Sequence, residues 1–219
     1  MTIEVEDVRL AVVHQFAAGV LPDRASLAAA LATDEASVDD ALDVLADQRH
    51  VVLREGRIVM AHPFAAIPLG FSVMGRETLW WGGCAWDSFA VPHLLPDEPE
   101  VLVATRCPGC DAALAWVVGR QDPPEGEEVA HFLVPAAHIW DDVVHTCGNQ
   151  RLFCAEDCVD RWLEVTGHDK GDVFDLATLW RLARGWYAGR LERGYVRREP
   201  DAARDYFRSV GLSGPFWGL

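Results

Sequence analysis

Between Val5 and Val20 the apolar positions Val8, Leu10, Val12, Val13, Phe16 and Ala17 recur every three or four residues. That period predicts an amphipathic helix. Pro22-Asp23 ends it, and Ser26 to Leu31 reads as a short second helix. A third helix opens at Asp34-Glu35-Ala36-Ser37 and runs to about Asp47, with Val38, Ala41, Leu42 and Leu45 on one face. Asp34 or Thr33 is positioned to cap it by accepting from a free backbone N–H. Val51–Arg54, Glu55-Gly56 and Arg57–Met60 then read as strand, tight turn and strand. Three helices and a hairpin predict a winged helix-turn-helix-like module over residues 1–62. Such modules place their third helix on DNA. Here that helix carries Asp34, Glu35, Asp39, Asp40, Asp43 and Asp47, with no basic residue until Arg49. Phosphates would repel it, so packing or dimerisation is the expected role.

Residues 63–219 switch period. Gly70–Val73 and Thr78–Trp80 flank a turn, and residues 101–104, 113–118 and 130–134 have strand character. Gln121–Glu128, rich in Pro, Gly and Glu, is a loop. A helix is expected from Gly83 to about Ala90, with Pro92 and Pro96 beyond it. Residues 155–190 read as helical, with a last helix over 201–210 and an apolar tail ending at Trp217-Gly218-Leu219. The sum is an α+β protein: the N-terminal module, then a mixed β-sheet domain with covering helices.

Composition narrows the function classes. The chain has 219 residues, half of them apolar, and a formal net charge of -15. A polyanionic surface disfavours nucleic acid as a partner. Lys170 is the sole lysine beside many arginines. No apolar run approaches the roughly 18 residues of a membrane helix, and the acidic start Met1–Asp7 lacks a signal-peptide charge pattern. A cytoplasmic protein without a membrane partner is expected, monomeric or homodimeric. Six cysteines in that setting favour metal binding or catalysis over disulfides.

Two of these cysteines carry the sharpest signal. Cys84 lies in Trp80-Trp81-Gly82-Gly83-Cys84-Ala85-Trp86-Asp87, and Cys147 in His145-Thr146-Cys147-Gly148-Asn149. Cys-x-x-Asp puts a thiol and a carboxyl on one face of one helical turn. At a helix start, the dipole and unpaired N–H groups favour the Cys84 thiolate. Trp80, Trp81 and Trp86 are placed to shield it from water. Dry surroundings beside a thiolate favour the protonated form of Asp87, a general acid. Gly148-Asn149 suggests a turn that leaves Cys147 accessible. Taken singly, Cys84 reads rather as a small buried apolar residue and Asp87 as a helix-start carboxylate.

Together these residues resemble the alkylmercury (organomercurial) lyase family. The resemblance covers the acidic front, Cys84-Ala85-x-Asp87, Cys107, and Cys147 with Phe153 after it, roughly residues 20–165. It implies that Cys84 and Cys147 are the two thiols on mercury and Asp87 the acid that protonates the leaving carbon. It implies an enzyme that cleaves a carbon–mercury bond to hydrocarbon and Hg(II), with no organic cofactor and with small thiols removing the ion. The sequence departs from the family at Asn149–Leu152 and beyond about Leu163. A lyase-fold relative with another substrate therefore stays open.

The other cysteines open a rival reading. Cys107-Pro108-Gly109-Cys110 and Cys154-Ala155-Glu156-Asp157-Cys158 are two pairs with zinc-ligand spacing. They make a structural zinc site, and with it a non-catalytic metal-binding protein, the alternative. A Cys107/Cys110 thiol–disulfide pair is a third possibility. His62, His93, His131, His138, His145 and His168 show no tight metal spacing and are read as surface or capping residues. His145 alone is close enough in sequence to tune Cys147. The aromatic run from Trp180 through Tyr187 and Tyr195 to Trp217 is assigned to the core.

Overall fold

A computed structural model describes residues 3–219. Three helices open it: α1 (Val5–Ala17), α2 (Arg24–Ala30) and α3 (Glu35–Asp47). Asp23 caps α2 through a capping box with Ser26, and Asp34 Oδ1 accepts from Ser37 N at 2.9 Å to cap α3. The faces expected from periodicity are the buried ones: Val8, Val12, Val13 and Phe16 pack near Val38, Ala41, Leu42 and Leu45. Leu10 and Ala17 lie at the margin of that stripe and are half-buried.

The hairpin β1 (Val52–Arg54) and β2 (Arg57–Ala61) follows as expected, but it does not stand free. Strand β2 pairs with β3 (Phe64–Ala65), which continues into β5 (Leu79–Gly82), β4 (Phe71–Met74), β6 (Glu100–Arg106) and β7 (Ala113–Gly119). The result is one seven-stranded antiparallel sheet in the order β1-β2-β3-β5-β4-β6-β7. The front helices are thus joined to the rest of the chain through shared strands. In β6 and β7 burial alternates, with Val101, Val103, Leu114, Trp116 and Val118 facing the core, the period-2 signature of a half-covered sheet.

A second sheet has β8 (Val129–Phe132) between β9 (Gln150–Phe153) and β10 (Asp172–Asp175), all antiparallel. Strand β10 interrupts the helical stretch expected over 155–190, dividing it into α6 (Glu156–Thr166) and α7 (Leu176–Trp186). Four residues are too few for a period to declare itself. Before β9, α5 spans Val143–Gly148; near the end, α8 spans Pro200–Ser209.

The element that organises the site is α4 (Ala85–Leu94). Every residue from Ala85 to Pro92 is buried, so this helix is apolar nearly all round, as a central helix must be. It packs against α7 and against β4 and β6. It runs past the expected stop at Ala90 because Pro92 falls in its last turn, where one missing N–H removes only one ladder bond. The tail tucks in as expected, with Trp217 buried against Phe132, Phe174 and Phe207.

Candidate functional site

Strand β5 delivers the chain to α4 through Gly82 and Gly83, and both glycines are required by close approach. A Cβ on Gly83 would lie 2.1 Å from Asp87 Oδ2 and 2.8 Å from Met60 Cε. Gly83→Ala is therefore expected to push the Asp87 carboxyl aside while the fold persists. Misplacement on the order of 1 Å costs about 100-fold in turnover; steady-state kinetics alongside circular dichroism measures both.

Cys84 is the N-cap of α4, and its Sγ accepts from Asp87 N at 3.4 Å. The helix start is therefore where the sequence placed it, yet the thiol is not acidic. Burial raises its pKa well above the ordinary value, and the hydrogen bond with Cys147 and the Asp87 charge act in the same direction. The N–H contact opposes them and loses. Of the tryptophans expected to shield the site, Trp86 lines the cavity. Trp80 is buried with its indole N–H on Phe16 O, and Trp81 is 40% exposed.

Cys147 corrects a second expectation. It lies within α5 and is 3% exposed, not on an open turn. Asp142 caps that helix, accepting from His145 N at 3.0 Å, so the helix carries the thiol inward. His145 points out; the histidine that meets Cys147 is His62, with Nε2 3.5 Å from Sγ. Of the two pocket thiols, Cys147 is the one whose pKa is lowered. The hydrogen bond from Cys84 contributes most, and His62 adds to it against the cost of burial. Burial pulls the His62 pKa down, but Asp87 and Cys147 outweigh it and leave it raised.

Asp87 joins these groups. Its Oδ2 lies 4.0 Å from Cys147 Sγ and 4.0 Å from His62 Nε2. Its Oδ1 accepts a hydrogen bond from the Tyr187 hydroxyl. Asp87 is 1% exposed. The structure thus brings Cys84, Asp87 and Cys147 to one cavity, and adds His62 and Tyr187, which sequence reasoning had assigned to the surface and the core. His62 stands alone between β2 and β3, and Tyr187 lies one hundred residues from its partner; nothing in local spacing marks either. Arg190, Trp140, Trp186 and Tyr195 complete much of the wall. The other cysteines, Cys107, Cys110, Cys154 and Cys158, gather elsewhere as a separate cluster.

Two buried thiols with opposed acidities thus lie beside one buried carboxyl; sulfur is the ligand soft metals prefer, and a carboxyl is a group able to carry a proton. The sequence model of the alkylmercury lyases matches residues 64–188, more than half of the chain, and the chain belongs to that family. The match reaches past the segment where the resemblance faded and takes in Tyr187. Among solved structures, the fold is similar to that in "Crystal structure of the mercury-bound form of MerB2". That similarity has a TM-score of 0.62 at 16% identity, covering 81% of this chain and 88% of the other. Among curated proteins, no sequence matches.

Proposed function

We propose that this protein is an organomercurial lyase whose catalytic groups are Cys84, Cys147 and Asp87. The observation that carries the assignment is the meeting of both thiols with Asp87 in one buried pocket. Cys147, the more acidic thiol, captures R–Hg⁺ as a thiolate, because Hg(II) is soft and prefers sulfur. Cys84 keeps its proton until the metal arrives, then attaches as the second sulfur. That proton passes to Asp87 and from Asp87 to the carbon. The bond broken is C–Hg, and the bonds formed are C–H and the second Hg–S. The electrons of the C–Hg bond leave with carbon, so mercury stays Hg(II) and nothing is reduced. Two external thiols then take Hg(II) and return their protons to Cys84 and Cys147. The substrate is a small organometallic, and the partners are the low-molecular-weight thiols of the cytoplasm; the biological role is detoxification.

In this scheme Asp87 does not need a stored proton, since the incoming Cys84 thiol brings one. Tyr187 fixes the carboxyl by holding Oδ1, which turns Oδ2 toward the sulfurs. Tyr187→Phe leaves that buried oxygen short of a donor, at about 1–3 kcal/mol of stability. It is expected to lower kcat with little change in organomercurial binding; thermal melts and single-turnover kinetics separate the two effects.

His62 favours the Cys147 thiolate, so capture of phenylmercury is expected to reach its plateau at a pH below that of an ordinary thiol. Loss of that stabilising partner moves the Cys147 pKa upward. His62→Gln should therefore shift the inflection to higher pH and slow capture near neutrality; stopped-flow capture rates against pH make the comparison.

The reaction is tested by incubating the pure protein with excess thiol and phenylmercury and following benzene by gas chromatography. Many equivalents of benzene per chain are expected. Folded protein that binds phenylmercury without turning it over would leave a metal-binding role instead.

A further inference from the structure

Outside the reaction pocket, Cys107, Cys110, Cys154 and Cys158 present four sulfurs that all lie within 4.8 Å of one another. We infer that they hold a zinc ion as a four-thiolate site. Cys110 Sγ and Cys154 Sγ are 3.6 Å apart. A tetrahedral site with Zn–S of about 2.3 Å has its sulfurs about 3.8 Å apart. All six cysteines are free, so no disulfide competes for them.

The surroundings are those of a thiolate cage. Cys154 N donates to Cys107 Sγ at 3.5 Å, and Arg161 Nη2 donates to Cys158 Sγ at 2.8 Å. Four thiolates and one Zn(II) sum to a charge of -2; Arg161 offsets part of it, as outer-shell donors do at thiolate sites. A Cβ on Gly109 would lie 2.1 Å from Cys158 O. Only glycine lets the turn after β6 press onto the first turn of α6. Tetrahedral sulfur selects zinc or iron, and a four-cysteine set built from a Cys-x-x-Cys pair and a second spaced pair is a common structural zinc site. The ion joins the β6–β7 turn of the large sheet to the β9–α6 junction of the small one. Strand β9 begins just after Cys147 and ends just before Cys154, so the ion fixes the far end of the strand that leaves the reaction pocket.

Protein expressed with zinc and without mercury is expected to carry one zinc per chain by elemental analysis. Cys110→Ser and Cys154→Ser should lose it, whereas the Cys84→Ser/Cys147→Ser double variant should keep it. If the cluster variants do not fold, cobalt(II) exchange into the unaltered protein gives the independent readout, the visible spectrum of a tetrahedral thiolate site. Stoichiometric iron, four freely titrating thiols in folded zinc-free protein, or zinc that leaves only with Cys84 and Cys147, would each overturn the inference.

A different observation supports a second inference, which rests on the proposed lyase reaction. The pocket wall includes Arg49, Arg190, Arg197 and Arg198, and among the described residues Asp87 is its only carboxylate. Among the described residues, none of the four guanidinium groups forms an ion pair. Arg190, Arg197 and Arg198 each donate to one backbone carbonyl, of His50, Gln48 and Gly185, and the groups lie over rings, Arg197 4.6 Å and Arg49 5.8 Å from the Trp140 centroid. Arg190 is 2% exposed, and its Nε has no partner. A cationic, aromatic-lined wall on a chain of net charge -15 suits an anion. The geometry points to organomercurials whose organic group is aromatic and bears a carboxylate.

The probes are phenylmercury and 4-carboxyphenylmercury. The carboxylate substrate should show a KM lower by about tenfold or more, the range of one charge-assisted hydrogen bond. Arg197→Gln should erase that preference, read as the ratio of the KM values for the two substrates on the same variant, and added salt should shrink it. Equal KM values with normal phenylmercury turnover would overturn this inference alone; no turnover of either would overturn the lyase reading.

Discussion

Asp87→Asn is expected to bind phenylmercury and release almost no benzene. The amide keeps the shape of the side chain and can still accept from Tyr187, so the pocket that meets Oδ1 is largely preserved. What disappears is a group able to take a proton from a thiol and give it to carbon. A carbanion is a very poor leaving group, so the C–Hg bond does not break unless the proton arrives as it breaks. Positioned proton transfer contributes about 100- to 10,000-fold, and a loss in that range is expected in kcat. Mercury titration and benzene release measured on one preparation distinguish this from simple failure to bind. If Asp87→Asn turns over at near the unaltered rate, the proton reaches carbon by another path and Asp87 is only structural.

The second large effect is at sulfur, and the two thiols are expected to fail differently. Cys147→Ser removes the thiolate-prone ligand, the one lowered by Cys84 and His62. A serine hydroxyl is a hard, weakly acidic oxygen and does not replace a soft ligand, so both capture and benzene release should fall to the buffer rate. Cys84→Ser leaves Cys147 to capture R–Hg⁺, yet offers neither a second sulfur nor a thiol proton. It should form a stable one-to-one adduct that retains its organic group. Mass spectrometry of the intact protein reads this directly, as protein plus phenylmercury rather than protein plus mercury. The reverse pattern, with Cys147→Ser retaining the adduct and Cys84→Ser blind to phenylmercury, would exchange the two roles. Cys107→Ser lies outside this pocket and should still release benzene wherever it folds.

The part of the fold that could be read from the sequence is the part set by local rules. Helices α1 to α3 follow from their apolar period, from the break at Pro22-Asp23 and from Asp34 as a cap. The β6–β7 pair follows from its alternation. Strand β10 did not, because four residues lie between two longer helical patterns. The hairpin β1–β2 could be located but not its continuation into the large sheet, since pairing with β3 is a tertiary choice.

The site divides along the same line. Cys84 and Asp87 are three residues apart on one helical turn, so their proximity is written in their spacing. Cys147 was tied to them by resemblance, and its environment was misjudged. Gly148-Asn149 suggested an exposed turn, whereas Asp142 starts a helix that buries the thiol. The acidity expected of Cys84 was also reversed. A helix N-terminus favours a thiolate, but at Cys84 complete burial and the Asp87 charge outweigh one backbone N–H. His62 and Tyr187 come from distant segments and act through the fold alone. The four remaining cysteines were legible as two spaced pairs, and the structure unites the pairs.

The central claim is that this pocket replaces a carbon–mercury bond with a carbon–hydrogen bond, taking the proton from the protein. A single turnover with phenylmercury in D₂O tests it most directly. Protein equilibrated in D₂O should yield one benzene per bound phenylmercury, each carrying one deuterium, with Hg(II) left on Cys84 and Cys147. Folded protein that binds phenylmercury and gives no benzene above the buffer control would contradict the account.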